Sequence, residues 1–511
     1  MFYSRAIIYS LLIILQFTLF ILFILRFRTY FHYYTIIETV IASIIILYMY
    51  AIDMDPSAKL SWAVLMIFMP LAGSIMFLFS QMEVGHRHLR NRSNDIVRST
   101  MDTLGHNESV LDMVKEDYPG LVKLHDYINT TGCFPLFGDT ETKYYPSGES
   151  FFEDYLKELE KAKNYIFIEY FIIGEGYMWG KILDVLKKKA EEGVEIRVLY
   201  DGVCEFVLLP HNYPSLLAGL GIKARTFSSI VPMLSTYYNY RDHRKITVID
   251  GKCAFTGGLN LSDEYINIGS RFGHWKDGAV KLKGDAAISF TLMFLQMWDC
   301  ADERSDDKED YLKYFPNDGI DRTSVQNIEL GYVMPYADCP LDGIRVGEDV
   351  YIDMFYSACD HIYVMTPYLV MDGEMKAAMV YAAQRGVDVR VIIPGIPDKK
   401  VIYSLAKVES KSLIKSGIKI YEYTPGFLHT KAVISDDTKA VVGTINMDYR
   451  SLYHHFECAA YMYKTPCIAD IRCDFEETFK KCREVTLDTI RHDSFFYKIL
   501  GTFMRFLAPL F

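Results

Sequence analysis

Apolar residues crowd the first eighty positions, and the remainder alternates short strand-like stretches with amphipathic ones. Residues 6–25 (AIIYSLLIILQFTLFILFIL) form an uninterrupted apolar run, long enough to cross a bilayer as a helix. A second run covers 36–52, broken only by Glu38 and Thr39, and a third covers 62–80 with Pro70 and Gly73, which membrane helices tolerate. The first run lacks a small-residue cleavage site and is followed by Arg26 and Arg28, unlike a removed signal peptide. Residues 1–82 are therefore expected to be a transmembrane region of two to three helices. In the two-span alternative, one of the three segments lies in the interface.

Basic residues suggest a sidedness. Arg26 and Arg28 follow the first run, and Arg87, Arg90 and Arg92 follow the third, whereas the 53–60 loop sets Lys59 against Asp53 and Asp55. The excess of arginine on cytoplasmic loops then places both 26–35 and everything after 82 in the cytoplasm, with Arg5 a minor vote against. The expected location is the cell membrane, multi-pass, with the body cytoplasmic.

After a connector (83–140), basic and polar over its first part to about 105, the pattern becomes that of an α/β fold, and it repeats. The first copy reads KKKAEEGVEIRVLYDG (187–202), GLGIKARTF (219–227) and HRKITVIDGKCAFTGGLNLSDEY (243–265). The second reads MVYAAQRGVDVRVIIPG (379–395), KSGIKIYEY (415–423) and HTKAVISDDTKAVVGTINMDYRS (429–451). An apolar strand precedes each, YIFIEYFII (165–173) and HIYVMTPYLV (361–370). A repeat this long implies two facing copies of one domain, 141–330 and 331–493, rather than a solenoid. A hydrophobic tail, 494–511, follows; it carries Lys498 and Arg505 but is broken by Gly501 and Pro509, which suits an interfacial helix better than a span.

Both copies carry H-x-K-x-x-x-x-D: His243, Lys245 and Asp250, then His429, Lys431 and Asp436. Asn260 and Asn446 each follow their histidine by 17 residues, and Gly257 and Gly443 also sit at matching offsets. Residues i and i+2 of a strand share a face, so each His and its Lys are expected to project into one site. Each Asp completes its motif, and the pair is counted with the catalytic set. Their odd offset, and the turn-like Asp250-Gly251, read as structural support rather than acid or base. Two imidazoles, two ammonium groups and two amides around a gap suit a phosphodiester. Lysine neutralises oxygens that gain charge, one neutral histidine attacks phosphorus, and the other, protonated, serves the leaving alkoxide. No acidic cluster suited to magnesium accompanies the motif, and neither metal nor cofactor is expected.

Charge narrows the substrate class. The chain carries a net −11, while its first 81 residues hold four basic and three acidic side chains, so the body is the acidic part. A body of that sign is a poor polyphosphate binder, and no nucleic-acid partner is expected. Ten cysteines without a C-x-x-C pair indicate neither a zinc site nor a disulfide framework.

Paired H-x-K-x-x-x-x-D motifs followed by G-G/T-x-N resemble the phospholipase D superfamily. The N-terminal apolar segments, W-x-x-x-x-x-x-x-P-L-A-G at 62–73, T-P-Y at 366–368, L-H-T-K at 428–431 and G-T-I-N-M-D-Y-R-S at 443–451 resemble its bacterial cardiolipin synthases over nearly the whole chain. The resemblance implies two tandem phospholipase D-like domains, each a mixed sheet flanked by helices and related by a pseudo-two-fold, after the transmembrane helices. It implies condensation of two phosphatidylglycerol molecules into cardiolipin and glycerol through a phosphohistidine, with His243 the nucleophile and His429 the acid. A hydrolase, or a transferase using another phospholipid donor such as phosphatidylethanolamine, remains open, as does a homo-oligomeric state. By position, Asp277 is implied to orient His429 and Glu457 to orient His243, with Glu169 lining the pocket.

Overall fold

The computed structural model describes residues 3–81, 86–105, 107–210, 212–228, 240–269, 271–302, 310–315, 328–492 and 495–508. The parts of the expected connector and C-terminal tail at 83–85, 106, 494 and 509–511 lie outside the described residues. The chain divides into two units: a helical one reaching to Arg87 and taking in residues from Thr502, and the body between His88 and Gly501.

The helical unit contains α1 (Tyr3–Leu25), α2 (Phe31–Ala51), α3 (Pro56–Phe68) and α4 (Pro70–Gln81). Two stretches are long and apolar enough to cross a membrane, Ile8–Leu25 and Arg28–Ala51. Leu11, Ile14, Ile21, Ile37, Ile44 and Leu47 are exposed on them, an outer surface that suits lipid and not water. The expected continuous span at 62–80 is not what forms. Met69 leaves the helical region (φ −138°, ψ 73°) because the following Pro70 disfavours it there, and the stretch breaks into helices of 13 and 12 residues.

The two pieces fold back on each other: Trp62 and Phe77 meet edge to face at 5.5 Å, and a Cβ on Gly73 would stand 3.1 Å from the backbone of Met66. A side chain there would require that backbone to give by a few tenths of an ångström. Ala72 N–H, left without a helical partner by the break, donates to Gln16 Oε1 at 2.8 Å. The third apolar run is thus two short helices rather than one of span length.

The body is built from two sheets. In the first, β1 (Thr140–Tyr145), β2 (Tyr165–Tyr170), β3 (Glu195–Asp201), β4 (Lys223–Phe227), β6 (Lys245–Ile249), β7 (Cys253–Gly257) and β9 (Ala279–Gly284) lie in the order β1-β9-β7-β6-β2-β3-β4. The second uses β10 (Tyr332–Asp338), β11 (His361–Met365), β13 (Asp388–Pro394), β14 (Lys419–Tyr423), β16 (Ala432–Ser435), β17 (Lys439–Gly443), β19 (His455–Tyr463) and β20 (Cys482–Val485), ordered β10-β19-β17-β16-β11-β13-β14-β20. Apart from β20 the orders are the same, with a parallel β2-β3-β4 or β11-β13-β14 half and an antiparallel remainder. The apolar strands that precede each repeat, β2 and β11, are buried throughout, which is why they read as continuous hydrophobic runs.

Two short strands leave their own sheets. β5 (Arg241–Asp242) pairs parallel with β19 of the other half, and β15 (Gly426–Leu428) pairs parallel with β8 (His274–Lys276). A third small pair, β12 (Leu369–Val370) with β18 (Met447–Asp448), stays within the second half.

Candidate active site

The two exchanged strands decide what each histidine faces. Arg241 lies opposite His455 and Asp242 opposite Phe456, so the next step along both strands sets His243 beside Glu457. Phe427 lies opposite Trp275 and Leu428 opposite Lys276, and the next step sets His429 beside Asp277. Backbone bonds lock each register: His243 N–H donates to Phe456 C=O at 3.0 Å, and His429 N–H to Lys276 C=O at 2.7 Å. His243 Nδ1 then lies 2.9 Å from both oxygens of Glu457, and His429 Nδ1 lies 2.7 Å from Asp277 Oδ2. A carboxylate accepting at Nδ1 fixes that proton there and leaves Nε2 with its lone pair.

The lysines follow the same scheme. Lys245 Nζ donates to the carbonyl of His243 at 2.7 Å, and Lys431 Nζ to the carbonyl of His429. The motif is not wholly in strand: each histidine sits just before β6 or β16, in the segment left by the exchanged strand, and Lys245 opens β6.

The aspartates lie elsewhere. Asp250 accepts backbone N–H bonds from Lys163, Asn164 and Tyr165 at 2.7–2.8 Å, and Asp436 does the same for Cys359, Asp360 and His361 at 2.8–3.0 Å. Each also starts a hairpin turn with two successive left-handed residues, Asp250-Gly251 (φ 54° and 65°) and Asp436-Asp437 (52° and 51°). Their carboxylates are engaged in holding the strand before the motif strand, not in the cage.

The asparagines occupy matching positions with different work. Asn260 is committed on both sides, accepting from Ile172 N–H at 3.0 Å and donating to the Tyr265 hydroxyl at 2.6 Å. Asn446 is buried, and its Oδ1 has no hydrogen-bond partner among the described residues. Glu169 lies on the far face of β2 from the cage: Tyr170 is the cross-strand partner of Lys245, and alternation turns Glu169 the other way, toward Asp242 and Arg244. Burial, and then the charge of Asp242, pushes its carboxyl well above the usual range.

The carboxylates are loaded unequally. Asp277 accepts from His429 and from Gly278 N–H at 2.9 Å. Glu457 accepts from His243, from Ser451 Oγ at 2.7 Å and from Thr444 Oγ1. Thr444 occupies the position in its repeat that Gly258 has in the other. There a Cβ would come within 2.0 Å of Asp277 Oδ1, so only glycine fits.

The rings around the histidines also differ. His429 is enclosed by Trp275 (5.4 Å), Tyr265 (5.6 Å) and Phe427 (5.8 Å). His243 lies between Phe171 (5.0 Å) and a further imidazole, His455 (5.2 Å). None of these rings was singled out from the sequence. Trp275, Phe427 and His455 are signalled only by adjacency in HWKDG, FLHTK and HHFE, and Phe171 and Tyr265 lack even that.

Burial holds His243 well below its usual pKa, and the charges of Lys245 and then Lys431 hold it lower. Burial and Lys431 bring His429 down to about 4, against the pull of Asp277. Burial likewise brings Lys245 down to about 8 and Lys431 to about 7, in the latter case helped by the charge of Lys245. Asp277, which burial alone would raise, is kept below the ordinary range by His429 and Lys431. Each motif thus feels the other's lysine, and the cage gains from an anion placed within it.

Known proteins resemble this chain along both halves. The family described as cardiolipin synthase, PLD-like domain, matches residues 155–269 and 351–479, one match on each half. A cardiolipin synthase of Alkalihalophilus pseudofirmus is 30% identical, covering 89% of this chain and 89% of its own. Cardiolipin synthase 2 of Bacillus anthracis is 32% identical over 89% of this chain and 87% of its own. An uncharacterised Streptococcus mutans protein is 47% identical over 91% of this chain and 99% of its own. Among solved structures, the phosphatidylserine synthase of Haemophilus influenzae shares the fold, with a TM-score of 0.57 at 13% identity, over 76% of this chain and 98% of its own. With a family domain on each of the halves that exchange strands, and relatives of this similarity over nine-tenths of its length, the chain belongs to the cardiolipin synthase family and is a phosphatidyltransferase.

Proposed function

We propose that the protein condenses two phosphatidylglycerol molecules into cardiolipin and glycerol, with His243 as nucleophile and His429 as general acid and base. The observation that carries this is the crossed pairing, which leaves both Nε2 atoms available while each Nδ1 is held by the opposite half's carboxylate. In the first step His243 Nε2 bonds to phosphorus, and the glycerol oxygen leaves with a proton from His429. In the second, the hydroxyl of another phosphatidylglycerol gives its proton to His429 and attacks phosphorus, and the phosphorus–nitrogen bond breaks. Lys245 and Lys431 balance the oxygens' charge in both transition states, and Asn446 Oδ1 is free to accept from the bound lipid.

The division of roles rests on the unequal carboxylates. Two hydroxyl donors draw charge from Glu457, whereas Asp277 keeps more for an imidazolium, so His429 is the easier of the two to protonate.

The body is placed on the cytoplasmic face and the 26–35 loop on the other. With two crossings, Arg87, Arg90, Arg92 and Arg98 outweigh Arg26 and Arg28. A cysteine at position 29 should then label from outside intact cells, and one at 56 or 103 should not. The C-terminal helix Phe495–Leu507 presents Phe495, Ile499 and Phe503 (76%, 54% and 57% exposed) as one stripe, which supports its use at the bilayer interface.

The test is a product assay on purified protein in detergent, with phosphatidylglycerol as the only lipid. Cardiolipin and glycerol should appear together, and added glycerol should drive the reaction backwards. Phosphatidic acid as the main product, with no response to glycerol, would make the protein a hydrolase.

A further inference from the structure

His455 has no part in the chemistry above, yet it stands against the nucleophile. Its ring is 5.2 Å from that of His243, and its Nδ1 is 3.7 Å from Glu457 Oε1. That nitrogen is buried and has no hydrogen-bond partner among the described residues. We propose that His455, His243 and Glu457 form a three-ligand site for a borderline divalent metal ion such as Zn²⁺, and that the bound ion switches the transfer reaction off.

The geometry is close to what zinc takes. One ligand atom from each residue lies within 4.8 Å of the others, and the two separations along Glu457 are 2.9 and 3.7 Å. Tetrahedral zinc with bonds of about 2.0–2.2 Å spaces its nitrogen and oxygen ligands about 3.3 Å apart, so small side-chain shifts suffice. Two imidazoles and one carboxylate, with a fourth position left to water, are a donor set zinc uses in proteins. The nitrogen donors select against magnesium and calcium. Among the described residues the other cluster of three such groups, Glu348, Asp372 and Glu374, is filled instead by the Arg345 guanidinium at 2.8, 3.4 and 2.9 Å.

Inhibition follows from the tautomer, and this step rests on His243 being the nucleophile. Zinc exchanges three waters for Glu457 and the two Nδ1 atoms. The proton on His243 Nδ1, which had been hydrogen-bonded to Glu457, moves to Nε2, so Nε2 loses the lone pair that would attack phosphorus.

Zinc affinity is measured by competition with a chromophoric chelator on the wild-type protein and on His455→Asn and His455→Gln. The rate of cardiolipin formation is followed against free zinc, each protein relative to its own metal-free rate. Wild-type protein should hold one tight zinc and lose activity as it binds. Both variants should bind about a hundredfold more weakly and resist inhibition accordingly. Equal affinity in all three proteins overturns the site. Tight zinc that depends on His455 but leaves the rate unchanged overturns the coordination of His243. Should both variants melt early, X-ray absorption on the wild type decides: a nitrogen and oxygen shell near about 2.0 Å supports the site, and sulfur near about 2.3 Å overturns it. The chelator titration needs no turnover, so failure of the proposed lipid reaction would not be mistaken for failure of the metal site.

Discussion

The two halves of the body are copies in backbone and differ where the chemistry is. Each contributes a histidine that bonds its N–H across to the other half, a lysine turned onto that histidine's carbonyl, and a hairpin begun by a capping aspartate. The difference lies one layer out. Glu457 is shared among an imidazole and two hydroxyls, while Asp277 serves one imidazole and one backbone N–H. A duplicated fold supplies two equivalent imidazoles, and a reaction that needs one as base-free nucleophile and one as acid needs them unequal. Thr444 in place of a second Gly258 is enough to begin that inequality.

The largest effects should come from the histidines. His243→Ala and His429→Ala should each lower kcat by about 10⁴-fold or more, and the double variant should be little worse, because residues acting as one unit are not additive. Independent, multiplicative losses would mean two separate sites. Acid quenching with labelled lipid should trap label in His429→Ala and none in His243→Ala; the reverse would exchange the roles.

Replacing the carboxylates separates the halves. Asp277→Asn and Glu457→Gln should each cost about 10³-fold with the natural lipid. A substrate with a nitrophenolate leaving group needs no acid in the first step. It should recover much of the first-step rate, seen as the nitrophenol burst, in Asp277→Asn and little of it in Glu457→Gln. Equal recovery would erase the distinction between the halves.

Gly258→Thr copies the second half into the first. Its Cβ would collide with Asp277 at 2.0 Å, so kcat should fall by about a hundredfold, whereas Thr444→Gly should cost only about tenfold. Similar losses would show that the glycine is not needed for the approach.

The smallest effect tests the hydroxyls. Thr444→Val with Ser451→Ala returns charge to Glu457 and makes His243 easier to protonate. A nucleophile must be neutral, so the acid limb of kcat/KM should move to higher pH.

Stability reads the same buried imidazoles. The pKa of His429 is depressed on folding, from 6.5 to about 4, so between those values the unfolded chain binds the proton and the folded one does not. Stability should therefore fall as pH drops through that window, by about 3 kcal/mol for this group, and His429→Phe should flatten the decline measured by thermal unfolding across pH.

From the sequence alone came the two tandem domains, the H-x-K-x-x-x-x-D pairs and the membrane segment, because apolar period, duplicated spacing and turn residues are local signals that survive without a structure. The turn at Asp250-Gly251 was legible for the same reason. The tertiary structure decided the rest. Asn260 and Asn446 are equivalent in spacing and unequal in bonding, since what fills an amide depends on neighbours distant in the chain. Glu169 reads as a pocket residue in IEYFII, but the face it takes depends on which residue of β2 pairs with Lys245. The break at Met69 turned a span-length apolar run into a hairpin, because hydropathy records length and composition and not whether Gly73 can admit the backbone of Met66. The exchange of β5 and β15, which brings Glu457 to His243 and Asp277 to His429, is a long-range pairing that no window of sequence contains.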